Sequence, residues 1–184
     1  SLNGAVTISQ TGGANITVAY GTVSSRIFVG ALNCLTLNAW NHVTVTFDGG
    51  TTGADAGSLA DYYSRFVIYI DGVAQTPTNL ASANGYTGSI SGANASDNIF
   101  RIGRDSNSYN NYAEDLIINR VAIFDSVKSA SALFALGNGD LTPQNPTHVY
   151  NPESSVVTIA DEFGNADLTG FNFVVADLVS DIPS

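Results

Sequence analysis

Positive charge is what this chain most lacks: six Lys and Arg, only one of them Lys, face sixteen Asp and Glu, for a formal net charge of −10. A surface of that sign repels phosphate backbones, so nucleic-acid binding is not expected. Cysteine is nearly missing too. Cys34 stands alone, which excludes an intrachain disulfide, and its setting in Leu32-Asn33-Cys34-Leu35-Thr36-Leu37 suits a buried, small apolar role. No apolar segment approaches the roughly twenty residues of a membrane-spanning helix, so no membrane insertion is expected. The carboxylates are dispersed without runs, as expected of groups serving solubility and turn chemistry.

What the chain has in abundance is alternation with period two, the signature of strands with one buried face. Val6 and Ile8 show it, as do Ile16, Val18 and Tyr20; Val43, Val45 and Phe47; Val157 and Ile159; and Phe171, Phe173 and Val175. Ile27-Phe28-Val29, Phe66-Val67-Ile68-Tyr69-Ile70 and Leu116-Ile117-Ile118 are instead continuous apolar runs, expected to be central strands covered on both faces. Stretches rich in Gly, Ser, Asn, Thr and Ala separate them, notably 49–60, 81–98 and 106–111. With 184 residues, one such domain buries enough apolar surface to fold without disulfides.

Two segments share a grammar. Trp40-Asn41-His42-Val43-Thr44-Val45-Thr46-Phe47 ends in Asp48-Gly49, and Phe66-Val67-Ile68-Tyr69-Ile70 ends in Asp71-Gly72-Val73. Asp-Gly supplies the positive-φ pair of a tight hairpin turn, so both runs are expected to be strands closed by turns. Phe100-Arg101-Ile102-Gly103-Arg104-Asp105 and Val121-Ala122-Ile123-Phe124-Asp125 follow in order. A short helix is expected near 126–137, where Ser126 or Ser129 can accept the first free N–H groups and Gly137 can end it. As an ordered set over roughly 35–139 these words resemble the laminin-G-like, concanavalin-A-like jelly-roll domains of secreted and viral surface proteins. The resemblance implies an all-β, antiparallel jelly-roll β-sandwich.

The ends depart from that pattern. The segment ahead of Trp40 looks too short to hold the strands that open such domains, so residues 1–141 are expected to form a sandwich short of its first strands. That opening suggests a portion of something larger, or an assembly subunit. Residues 142–184 begin with a crossing marked by Pro143, Pro146 and Pro152. His148-Val149-Tyr150 and the run Thr158 to Thr169 are then expected to complete the sandwich edge or pair with a neighbour, since an open edge invites aggregation.

Related jelly rolls include glycoside hydrolases, which need two carboxylates on one face of a strand. Glu114, Glu153 and Glu162 are the only Glu residues, and the neighbours Glu114-Asp115 and Asp161-Glu162 point to opposite faces of an extended strand. Neither His42 nor His148 follows a nucleophile-elbow pattern, and two distant His with one Cys make a poor zinc site. No catalytic residue is assigned. His42 is expected to be a half-buried strand residue hydrogen-bonded across the sheet, and Trp40, opening a core strand, to be buried packing.

The resemblance also implies calcium held at the sandwich rim by hard oxygen ligands. Asp105 and Asp115 are the candidates here, although Asn119-Arg120 replaces the acidic pair common before the Val-Ala-Ile-Phe strand. Asp48 and Asp71 read as turn formers. For a glycan, aromatic faces beside amides are required. Tyr62, Tyr63 and Tyr109-Asn110-Asn111-Tyr112 supply them, with Tyr86 a further loop aromatic. The sequence therefore points to a non-catalytic module of a virion surface or extracellular assembly, similar to phage decoration, fibre and tail proteins. Its expected partners are protein neighbours, including copies of itself in a homo-oligomer. The alternative is a carbohydrate-binding, lectin-like module.

Overall fold

A computed structural model of the chain describes residues 5–11, 13–21, 26–48, 65–76, 78–79, 118, 120–137, 145–151, 158–162 and 167–169. Every strand pairing among them is antiparallel, the sheets are small, and one short helix accompanies them. The described part of the protein is all-β.

β1 (Ala5–Thr11), β2 (Asn15–Gly21) and β3 (Arg26–Ala31) form a meander ahead of Trp40, and β7 (Thr78–Asn79) pairs with the far side of β3. The segment expected to be short of strands thus holds three. Thr11 opposes Asn15 across a three-residue loop in which Gly13 adopts φ +86°, a conformation that costs an L side chain. β3 lies inside its sheet, as the Ile27-Phe28-Val29 run suggests.

β4 (Val43–Phe47) pairs with β5 (Phe66–Ile70), which pairs with β6 (Val73–Ala74). Asp71 and Gly72 take φ +50° and +76° between Ile70 and Val73, the two-residue turn that Asp-Gly predicts. Asp48-Gly49 does not do the same. The partner of β4 begins only at Phe66, and Asp48 instead donates its N–H to the Arg65 carbonyl at 3.0 Å. The physical reason is downstream: no apolar run follows Gly49 closely enough to be the second arm of a two-residue hairpin.

Ile16, Val18, Val29, Ala31, Phe66, Ile68 and Ile70 form one buried cluster, with Val43, Val45 and Phe47 packed against it. The β1–β3 and β4–β6 sheets therefore share a core. Register explains its composition, because Ile16 opposes Ala31 and Val18 opposes Val29, each pair on one face. Phe47 opposes Phe66, and their rings stack with centroids 4.2 Å apart. The β5 run is not covered equally on both faces: Phe66, Ile68 and Ile70 are buried, whereas Val67 and Tyr69 are half-buried. A continuous apolar run here still has one core face.

Later in the chain, β8 (Val121–Ile123) pairs with β9 (His148–Tyr150), and β10 (Thr158–Ile159) pairs with β11 (Leu168–Thr169). All three β8 residues are half-buried rather than core. The helix α1 spans Ala130–Gly137. Ser129, not Ser126, caps it: the Ser129 hydroxyl accepts the Ala132 N–H at 3.3 Å and the Ser129 carbonyl accepts the Leu133 N–H at 2.9 Å. Lys128 lies over the Phe124 ring, 4.9 Å from its centroid, bridging the strand to the helix start. Of the Leu116-Ile117-Ile118 run only Ile118 is described, and it lies outside any strand.

Candidate functional site

Residues 32–42 join β3 to β4 and form the most heavily tied loop among the described residues. Its first half is anchored to the β1–β2 turn, where the Ala14 carbonyl accepts the N–H groups of both Cys34 (2.9 Å) and Leu35 (3.1 Å). Asn33 sits at φ +51° and donates its N–H to Asn15 Oδ1 at 2.7 Å. The Cys34 thiol is half-buried and packs against the core, 3.4 Å from the Ala31 carbonyl and 3.6 Å from that of Ala14.

Asn41 organises the second half. Its Oδ1 accepts the Thr36 N–H at 2.8 Å, and its Nδ2 donates to the carbonyls of Thr36 (2.9 Å) and Ala39 (2.8 Å). Asn38, at φ +58°, makes the intervening turn. The loop closes on the β5–β6 hairpin, where His42 N–H donates to Asp71 Oδ1 (2.8 Å) and Asp71 N–H donates to the His42 carbonyl (2.9 Å). Asp71 is a turn former, as expected. His42 is half-buried and bonded across the sheet through its backbone, while its ring Nδ1 is buried with no hydrogen-bond partner among the described residues. Burial pushes the His42 imidazole below its ordinary range, against the pull of the Asp71 carboxylate.

This framework leaves three large apolar side chains in water: Leu32 (46% exposed), Leu37 (58%) and Trp40 (36%). Trp40 is therefore not the buried packing residue that the sequence suggests. Asn41 folds the chain back on Thr36 and Ala39, so β4 starts only at Val43 and Trp40 stays in the loop. From Ile27 to Phe47 there is no charged residue, which makes this surface neutral within a strongly acidic chain.

A second arrangement lies on β9. His148 Nδ1 donates to Asp161 Oδ2 at 2.5 Å, with the Asp161 side chain fully buried and that of His148 32% exposed. Asp161 Oδ1 accepts the Val149 N–H at 3.1 Å, and the Asp161 N–H donates to Asp167 Oδ1 at 3.0 Å. Tyr150 and Asp161 form an isolated bridge, and Glu162 N–H donates to the Val149 carbonyl at 2.9 Å. One buried carboxylate thus ties the segment around 158–169 to β9. The Tyr150 phenol is raised above its ordinary range by burial first, then by the negative charges of Asp161 and Asp167. Such a phenol remains a neutral hydrogen-bonding group rather than an anion.

Chemically, the His148–Asp161 pair orients an imidazole, and no nucleophile is positioned beside it among the described contacts. No cluster of three or more His, Cys, Asp or Glu able to hold a metal occurs among the described residues. No helix among them is long and apolar enough to cross a membrane. The residues that the sequence nominates, Tyr62, Tyr63, Tyr109, Asn110, Asn111, Tyr112, Asp105 and Asp115, all lie outside the described residues. Sequence reasoning missed Leu32, Leu37 and the Asn38/Asn41 pair; Asn at both ends of a short segment was the available turn signal. It also left His148 and Asp161 unpaired, though each follows its strand's alternation. No protein-family model matches the chain, and no curated protein or solved structure matches it either.

Proposed function

We propose that this protein is a non-catalytic surface module, acting by contact with protein neighbours on a virion-like or extracellular assembly of the phage decoration, fibre or tail kind. In this reading the two facing sheets belong to a concanavalin-A-like jelly-roll sandwich. The observation that carries the proposal is the 32–42 loop, whose backbone is held by hydrogen bonds while Leu32, Leu37 and Trp40 remain exposed. Exposed apolar side chains on a pre-ordered frame lose little entropy when covered, which is what a recognition surface requires. Trp is also the residue type most enriched at interface hot spots. Neutrality from Ile27 to Phe47 lets a partner approach without meeting the chain's net charge.

The test is co-sedimentation of the purified chain with particles and with cells from its source, comparing wild type with the double substitution Leu37→Ser/Trp40→Ala. Retention of wild type and loss of at least about tenfold in the variant supports the reading. Equal retention of both rejects the loop as the contact surface. The glycan alternative rests on the aromatic-amide composition of Tyr109-Asn110-Asn111-Tyr112. Glycan-array binding that disappears in Tyr109→Ala/Tyr112→Ala would favour it.

A further inference from the structure

β1 is the outermost strand of its four-stranded sheet among the described residues. It is seven residues long, with neither a charged residue nor Pro in Ala-Val-Thr-Ile-Ser-Gln-Thr, and its register with β2 is one-to-one throughout. Charges, Pro and bulges are the devices that keep an edge strand from pairing with another chain, and β1 has none of them. Ile8 stands directly opposite Val18, so the two share a face, and that face is the core side. Val18 is 1% exposed, whereas Ile8 is 52% exposed. The apolar layer of the sheet thus extends one strand farther than its covering does.

We infer that β1 pairs antiparallel with β1 of a second copy of this chain, across a two-fold axis at Ile8. Two identical strands related by a two-fold axis are antiparallel by symmetry, and the contact is self-complementary. Ile8 is the midpoint of Ala5–Thr11, so centring the axis there lets all seven residues pair. It also sets the two Ile8 side chains against each other on the core side, continuing the layer that Val18 and Val29 begin. Charge favours the same approach: two molecules of net charge −10 repel, but no charged residue lies between Ala5 and Gly21. The inference goes beyond the 32–42 loop by naming the partner and a separate surface.

Sedimentation of the full chain over a range of concentrations tests it. The wild type is expected to be a dimer, and Ile8→Lys to raise the dimer dissociation constant at least about tenfold, with an unchanged far-UV circular dichroism spectrum. Residues opposed in an antiparallel pair have Cα atoms roughly 4.5–5.5 Å apart, within disulfide reach. Ile8→Cys in a Cys34→Ala background should therefore form an intermolecular cross-link on mild oxidation, and Cys34→Ala alone should not. The cross-link decides the matter if Ile8→Lys loses its native spectrum. A monomeric wild type at every concentration, or an oligomer that neither responds to Ile8→Lys nor cross-links through residue 8, overturns the pairing. Trp40→Ala should leave the dimer intact, so failure of the edge and failure of the loop are distinguishable.

Discussion

Asp161 concentrates more structural consequence than any other described side chain. Its carboxylate is fully buried, takes hydrogen bonds from His148 and the Val149 N–H, and sits where the chain returns to β9. Asp161→Ala strands the Val149 donor and removes the His148 partner, so it should cost about 2–4 kcal/mol. Urea unfolding is the measurement: the midpoint should fall with the slope preserved. His42 makes a pH prediction with a definite sign. Its pKa is lowered from 6.5 by burial, so between the lowered value and 6.5 the unfolded chain binds more protons than the folded one. Stability therefore falls as pH drops through that window and recovers above it. Denaturation midpoints across mildly acidic pH should show this slope in wild type and a shallower one in His42→Gln.

At the scale of elements, turns that depend only on neighbouring residues were legible in the sequence. Asp71-Gly72 is one, because Ile70 and Val73 flank it and nothing distant is needed. The Ser129 cap is another. Asp48-Gly49 has the same letters, yet its strand finds a partner only at Phe66, so the local signal could not identify the connection. Trp40 misled because apolar character was read as burial, whereas the Asn41 side chain ends the extended segment first. The His148–Asp161 pair spans thirteen positions, with contact dictated by the chain's return rather than by any local pattern. Asn41→Ala should release three hydrogen bonds and cost about 1–3 kcal/mol. Amide exchange should show that loss as faster exchange at Thr36, with the β4–β5 amides little changed.

For the molecule as a whole, the period-two pattern foretold antiparallel sheets because alternation maps directly onto one buried face, as Ile16/Val18 and Phe66/Ile68/Ile70 show. It could not foretell where the buried layer stops. Ile8 continues the pattern of β1 and is still half in water, since coverage depends on what lies across the sheet. The proposed activity has the same origin: sheets that share a core, with apolar side chains left over at a loop and an edge. Hydrogen exchange read by mass spectrometry over residues 32–42 tests that activity most directly, with the chain free and then bound to particles from its source. The account predicts that amides in this loop become protected on binding, and that Leu37→Ser/Trp40→Ala abolishes both protection and binding. Binding that leaves exchange in 32–42 unchanged, with protection appearing elsewhere, would contradict it.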